Sequence, residues 1–333
     1  MDLTGFLPAR RQHGLLTSRQ ALAAGLDVPA VARLVRTGAW VRLRRGVYVD
    51  GDQWREAGEF DEKPLLRVRA AALVLEVEHV FSHDSASLVH GLGLPDARAS
   101  LVHITREGVH GTRLIAGTKH HGAPFHPDQV RHVDGLEVLD PARTCLDLVR
   151  EHGLRGGLPA CDRALSLGVT RSQLRQAASG MKCWPGRRSV DRAILLADPG
   201  AESWQESLGR LLVTELGIGR PETQFGLRDA RRTVWCDLRV GRHVIEIDGR
   251  IKYDGTFAGQ EPADVLWAEK LRQDFITGFH LGMSRLTHRD LTSGWDHAKR
   301  RVLREFEATV ARYGTDVADL APYLVRRDRA RHG

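Results

Sequence analysis

Apolar residues recur at two different periods along the chain, and each change of period marks a new element. Over "LTSRQALAAGL" and "VPAVARLVRTGAW" they return every three to four residues, which predicts two short helices. The first opens on a Ser/Thr start signal; the second opens near Pro29 and closes at Gly38. "VRLRRGVYV" then alternates residue by residue and predicts a hairpin. Ala21, Gly25, Leu26, Val31 and Leu34 stand at helix-turn-helix spacing. A small residue lets the helices cross closely, glycine permits the positive φ of the turn, and the later apolar pair seats the second helix on the first. Gln20 stands where that pattern usually carries an apolar residue. Residues 1–52 are therefore expected to form a winged helix-turn-helix, with Arg33, Arg36 and Thr37 on the outer face of the second helix and Arg42, Arg44 and Arg45 on the hairpin. Either these side chains make a basic DNA-reading edge, or the module is a three-helix packing unit with solvated arginines.

From 60 to 198 the pattern is that of a mixed α/β region. "LLRVRAAALVLE" and "SASLVHGLG" read as helices and "SLVHIT" as a strand, followed by "GLEVLDPARTCLDLVRE" and "GLPACDRALSLGVTRSQLRQAA". His79, His83, His90, His103, His110, His120, His121, His126 and His132 are frequent here, but no pair at helical ligand spacing is backed by a third ligand, so they are read as surface or internally satisfied histidines. Ser82, His83 and Asp84 are consecutive, and side chains on consecutive residues diverge, which argues against a hydrolytic relay among them.

The Pro-Gly break in "LLADPGAESWQ" opens a last domain over 200–310, with a basic tail, helical or frayed, over 311–333. "ESWQESLGRLLVTELG" is amphipathic, with Leu208, Leu211, Leu212 and Leu216 at helical spacing. "TVWCDLRV", a turn around Gly241 and "HVIEIDG" predict an antiparallel hairpin. Alternation places Glu246 and Asp248 on one side of their strand, and the short turn allows Asp237 to lie beside them. Gathered carboxylates repel one another, so two readings stand. They hold a divalent cation, for which hard oxygen donors suit Mg²⁺ or Mn²⁺; or they are a solvated strand edge paired with Arg239, Arg250 or Lys252.

Composition adds a bias in partner. With 49 Lys+Arg against 42 Asp+Glu the 333-residue chain carries a net charge of +7, which favours a polyanion such as nucleic acid. The four cysteines form no CxxC pair, against a disulfide framework or zinc knuckle. No run of apolar residues is long enough to span a bilayer, and the opening "DLTGFLPARRQHG" lacks the apolar stretch of a signal peptide, so a cytoplasmic location is expected.

"LTSRQALAAG" and "LRRGVYV" resemble the N-terminal winged-helix domain of AbiEi-type antitoxins, and "SHDSASLVHGL" and "DPARTCLDL" resemble the region that follows it there. That resemblance implies DNA binding, autorepression and a cognate toxin partner. "AESWQESLGRLL", "DLRVGRHVIEIDG" and "WAEKLRQDFITGFHLGMSRLTHRDL" resemble, in order and distance, the DUF559 family, a Vsr-like branch of the PD-(D/E)XK nuclease superfamily. It implies a restriction-endonuclease-like α/β/α domain. Glu206 matches its helix acid, Asp237 the strand acid that opens the metal motif, Glu246 and Asp248 the E-x-D-G element, and Lys270 and Arg272 the basic residues of the next helix. The superfamily pattern carries lysine where Asp248 stands, so Lys252 or Lys270 would have to position the attacking water.

Three functions follow as expectations. One is a DNA-binding endonuclease of mobile-element or phage-defence type, hydrolysing phosphodiesters with Mg²⁺ held by Asp237, Glu246 and Asp248, where Arg272 either grips a phosphate or pairs with Asp274. Another is an antitoxin-type transcriptional regulator with an inactive nuclease-like domain. The third is a protein-interaction module within a toxin–antitoxin pair.

Overall fold

The computed structural model describes Leu3 and residues 6–94, 101–248 and 262–325. Two compact units divide the chain, residues 1–195 and 196–333.

The first unit opens with α1 (Leu7–Arg11), β1 (Leu15–Thr17), α2 (Ser18–Ala23), α3 (Val28–Arg36), β2 (Trp40–Arg44), β3 (Val47–Asp50) and α4 (Gly51–Glu56). The three strands form an antiparallel sheet in the order β1-β3-β2. Ala21, Val31 and Trp40 are buried together with Leu16, and Leu26 and Leu34 pack against them, which is the contact set the helix-turn-helix spacing requires. Gly25 adopts φ +90 in the turn, open to glycine without strain. Gln20 is polar for a local reason: its Oε1 accepts from Thr17 N–H at 2.9 Å while Thr17 Oγ1 accepts from Gln20 N–H at 3.2 Å, a capping box that starts α2.

The same unit continues through α5 (Glu62–Ala72), β4 (Val80–Phe81), α6 (His83–His90), β5 (Val102–Thr105), β6 (Thr112–Ile115), β7 (Thr118–His121), β8 (Val130–Val133), β9 (Leu136–Leu139), α7 (Pro141–Ser166), α8 (Arg171–Ser179) and α9 (Arg187–Leu196). Six strands form a mixed sheet in the order β6-β7-β5-β4-β9-β8. Phe81, Ile104 and Val138 of its central strands are buried against Val68 and Ala71 of α5 and Ala86 of α6. Helix α7 bends at Gly153, where the backbone leaves helical geometry.

The second unit runs α10 (Trp204–Leu216), β10 (Glu222–Arg228), β11 (Thr233–Val240), β12 (His243–Ile247), α11 (Pro262–Gly278), β13 (Gly282–Leu286), α12 (His288–Leu291), α13 (Trp295–Tyr313) and β14 (Leu324–Val325). Its sheet has the order β13-β12-β11-β10-β14, with β10, β11 and β12 an antiparallel meander and β13 parallel to β12. Gly209 of α10 lies against Ile247 and Leu238, and Thr309 of α13 meets His243, so α10 and α13 cover one face. Phe275 and Ile276 of α11 pack with Val234, Cys236 and Val244 on the other. The result is three layers, helix on sheet on helix. Residues 311–325 are built into this unit, since Leu324 and Val325 pair with Leu227 and Gly226 at the edge of the sheet; the basic stretch beyond them lies outside the described residues.

Candidate nucleic-acid interface and carboxylate residues

Helix α3 begins where Asp27 Oδ1 accepts from Ala30 N–H at 2.7 Å, with Pro29 pre-set for its first turn. Val31 and Leu34 turn its apolar stripe inward, so Arg33 and Arg36, three apart, fall on the exposed side. Thr37 caps the helix end and donates from Oγ1 to Leu34 O at 3.1 Å. Arg42 is exposed on β2, and Arg36 and Arg42 together line a groove of about 330 Å³ bounded by Ser18, Val35 and Tyr48. Arg45 sits exposed in the turn of the wing.

Arg44 departs from the expectation. A register shift in the β2–β3 ladder between Arg42 and Arg44 re-aims its side chain, and Nη2 donates to Thr118 Oγ1 at 2.9 Å and Ala116 O at 3.2 Å. Its guanidinium ties the wing to β7 instead of presenting itself to a phosphate.

In the second unit each carboxylate has its own protein partner. Glu206 is the third residue of α10: the N-cap Ser203 Oγ accepts from Glu206 N–H at 3.1 Å, and Glu206 Oε2 accepts from Glu202 N–H, just before the cap, at 2.9 Å. Gln224 Nε2 donates to the same Oε2 at 3.0 Å. Burial, and next among the raising influences the charge of Asp237, hold Glu206 above the usual carboxylate range. The ladder register of β11 with β12 runs to Leu238↔Ile245, and beyond it Asp237 Oδ2 accepts from Ile247 N–H at 2.7 Å. Glu246 is buried, and Arg272 of α11 donates from Nη2 to both of its oxygens at 3.0 Å and to Trp235 O at 2.6 Å. Burial raises the Glu246 pKa, with Arg272 opposing and Asp237 adding to the rise. Arg272 thus pairs with Glu246, where a phosphate or Asp274 was expected. Asp248 lies 3.7 Å from Arg285 Nε.

Lys270 is exposed, its Nζ 5.7 Å from the ring centre of Trp267. Lys252 lies outside the described residues.

Mg²⁺ or Mn²⁺ requires oxygen donors converging on one point. Asp237, Glu246 and Asp248 do not provide this: among the described residues, three ligand atoms mutually within 4.8 Å are found at His83, His103 and His121. Glu246 is engaged by Arg272 of α11 and Asp237 by a backbone N–H, while the charge of Asp237 still reaches both Glu206 and Glu246. The imidazole cluster was hidden from the sequence, because its members come from three separate elements. Ser82 and His83 also differ from expectation: His83 Nδ1 lies 3.0 Å from Ser82 Oγ, while Asp84 turns away to His152 Nε2 at 2.6 Å.

Among the described residues no helix is long and apolar enough to cross a membrane. No curated protein matches the chain. Residues 9–49, which run from within α1 to β3 and take in the helix pair and the wing, match the family described as a transcriptional regulator, AbiEi antitoxin.

Proposed function

We propose that this protein is a DNA-binding transcriptional regulator of antitoxin type, which reads DNA with α3 and the wing and carries a nuclease-like second unit without hydrolytic function. The observation that carries this reading is the placement of Arg33, Arg36 and Arg42 on the exposed side of the segment that matches the AbiEi regulator family. Helix α3 enters the major groove, Arg33 and Arg36 meet base edges or phosphates, and Arg42 and Arg45 engage the flanking backbone. A cognate toxin is the protein partner this reading implies, and the cytoplasm its place of action. The α10–β10–β11–β12–α11–β13 order, with an antiparallel meander followed by a parallel strand, supports kinship of the second unit with the PD-(D/E)XK fold. The engagement of Glu246 by Arg272 supports its inactivity. Fluorescence anisotropy with a duplex from upstream of the protein's own gene tests the proposal. Arg36→Ala lowers affinity about tenfold, the worth of about 1.4 kcal/mol of lost contact. Equal affinity of the variant would reject the assignment of α3.

A second reading, Mg²⁺-dependent phosphodiester hydrolysis, is favoured by one observation: Asp237 and Glu206 are near enough that the charge of one raises the pKa of the other. Plasmid incubated with Mg²⁺ separates the two. Nicking that disappears in Asp237→Ala supports hydrolysis, and an intact plasmid supports the regulator.

A further inference from the structure

The motif "SHDSASLVH" begins α6 at the edge of β5. Ser82 N–H donates to His103 O at 3.1 Å and His103 N–H to Ser85 Oγ at 2.8 Å, so two hydrogen bonds stitch the start of the helix to the strand. Strands β5 and β7 run parallel with His103 opposite Lys119 and Thr105 opposite His121. His103 and His121 are therefore diagonal neighbours on one face. The rings of His103 and His121 have centroids 5.2 Å apart, and His83 stacks on His121 at 3.7 Å. All three side chains are interior, at 3%, 3% and 6% exposure for His83, His103 and His121.

An N–H to lone-pair hydrogen bond between neutral rings accounts for the His103–His121 pair alone, whose Nδ1 and Nε2 are 3.1 Å apart. His83 is held separately, its Nδ1 3.0 Å from Ser82 Oγ. That residue holds φ at +48, in the left-handed region that non-glycine residues seldom occupy, and its ring lies against the other two. Asp84 lies between His103 and His152. This buried carboxylate stands 3.7 Å behind His103, at Nε2, and is itself held by His152. A carboxylate behind a histidine whose other nitrogen faces a shared point is the outer-shell arrangement of metal-bound imidazole. Two nitrogens on a tetrahedral zinc, each about 2.0–2.1 Å from the ion, lie about 3.3 Å apart, close to the separation found here. Burial lowers the pKa of all three imidazoles. Arg143 and Arg150, whose charges also reach His83, are both paired with Asp147.

We propose that His83, His103 and His121 bind a zinc-class divalent cation through three imidazole nitrogens, with Asp84 orienting His103 from behind. Nitrogen donors without carboxylate ligands select Zn²⁺ over Mg²⁺ or Ca²⁺. The near-closed burial makes the ion a cross-link among α6, β5 and β7 rather than a seat for substrate.

The test uses the full chain, stripped with chelator and titrated with Zn²⁺ against a chromophoric competitor at pH 7. One tight equivalent per chain is expected, lost in His103→Gln and in His121→Gln and kept in His132→Gln, whose side chain is 75% exposed. Zinc should raise the unfolding temperature of the wild type and leave the two cluster variants unmoved. Because either variant could fail to fold, X-ray absorption of the zinc-loaded wild type is read as well, and three imidazole donors are expected. A wild type without a tight equivalent, an equivalent that survives both cluster substitutions, or a shell of sulfur or of oxygen alone overturns the assignment.

Discussion

At His243 the first residue of β12 puts an imidazole into the interior of the second unit. Nδ1 lies 2.7 Å from Thr309 Oγ1 and Nε2 lies 2.7 Å from Ser284 Oγ, so both nitrogens are used without a charge. Burial pushes the pKa of His243 from its ordinary 6.5 down to about 4. The folded state therefore binds fewer protons than the unfolded state between these values. Stability is unaffected above pH 6.5, falls as the pH drops through that window, and levels off below about 4, a loss on the order of 3 kcal/mol from this group. Denaturant unfolding of the wild type and His243→Asn across pH 7 to 4 checks this, with a shallower pH slope expected in the variant. Equal slopes would show that other groups govern acid unfolding. Glu246 presents the opposite case, a buried carboxylate whose charge is matched by Arg272 from a helix 26 residues away in sequence. Alternation places Glu246 on its strand, but nothing in the spacing says which distant cation will reach it.

Among the elements, the winged segment was the most legible in the sequence because its information is local. The turn at Gly25, the stripe Ala21–Val31–Leu34 and the alternation of the hairpin are each decided within a few residues. Gln20 shows the same principle, its polarity belonging to a cap that spans the four residues from Thr17 to Gln20. The direction of Arg44 is set by a ladder irregularity and a partner on β7, and both are non-local. The imidazole cluster needed the parallel pairing of β5 with β7, which no sequence period announces. Close approach between elements is visible at Gly51, where a Cβ would stand 2.1 Å from Gly38 O, a backbone atom just beyond α3. Gly51 N–H also donates to Ala39 O at 2.8 Å. Backbone cannot move aside as a side-chain tip can, so Gly51→Ala is expected to destabilise the first unit by about 1–3 kcal/mol, measured by thermal or denaturant unfolding. A neutral result would mean that α4 can shift without disturbing the join between wing and helix.

For the whole molecule, the net charge of +7 favours polyanions, and in the proposed function the exposed arginines of α3 and the wing give that attraction a place. These two contributions separate by their salt dependence. Contacts with phosphates release counterions, so each arginine that meets the backbone adds about one unit to the slope of log affinity against log salt. Diffuse charge on the remainder of the chain is left in place by substitutions on α3. The decisive measurement is the affinity of the full chain for a duplex from upstream of its own gene over a range of salt, in the wild type and in an Arg33→Ala, Arg36→Ala, Arg42→Ala variant whose thermal unfolding matches it. The account predicts a loss of affinity of at least tenfold and a slope shallower by about two to three units. An unchanged slope with unchanged affinity would contradict it, placing the DNA contact elsewhere or removing DNA from the function altogether.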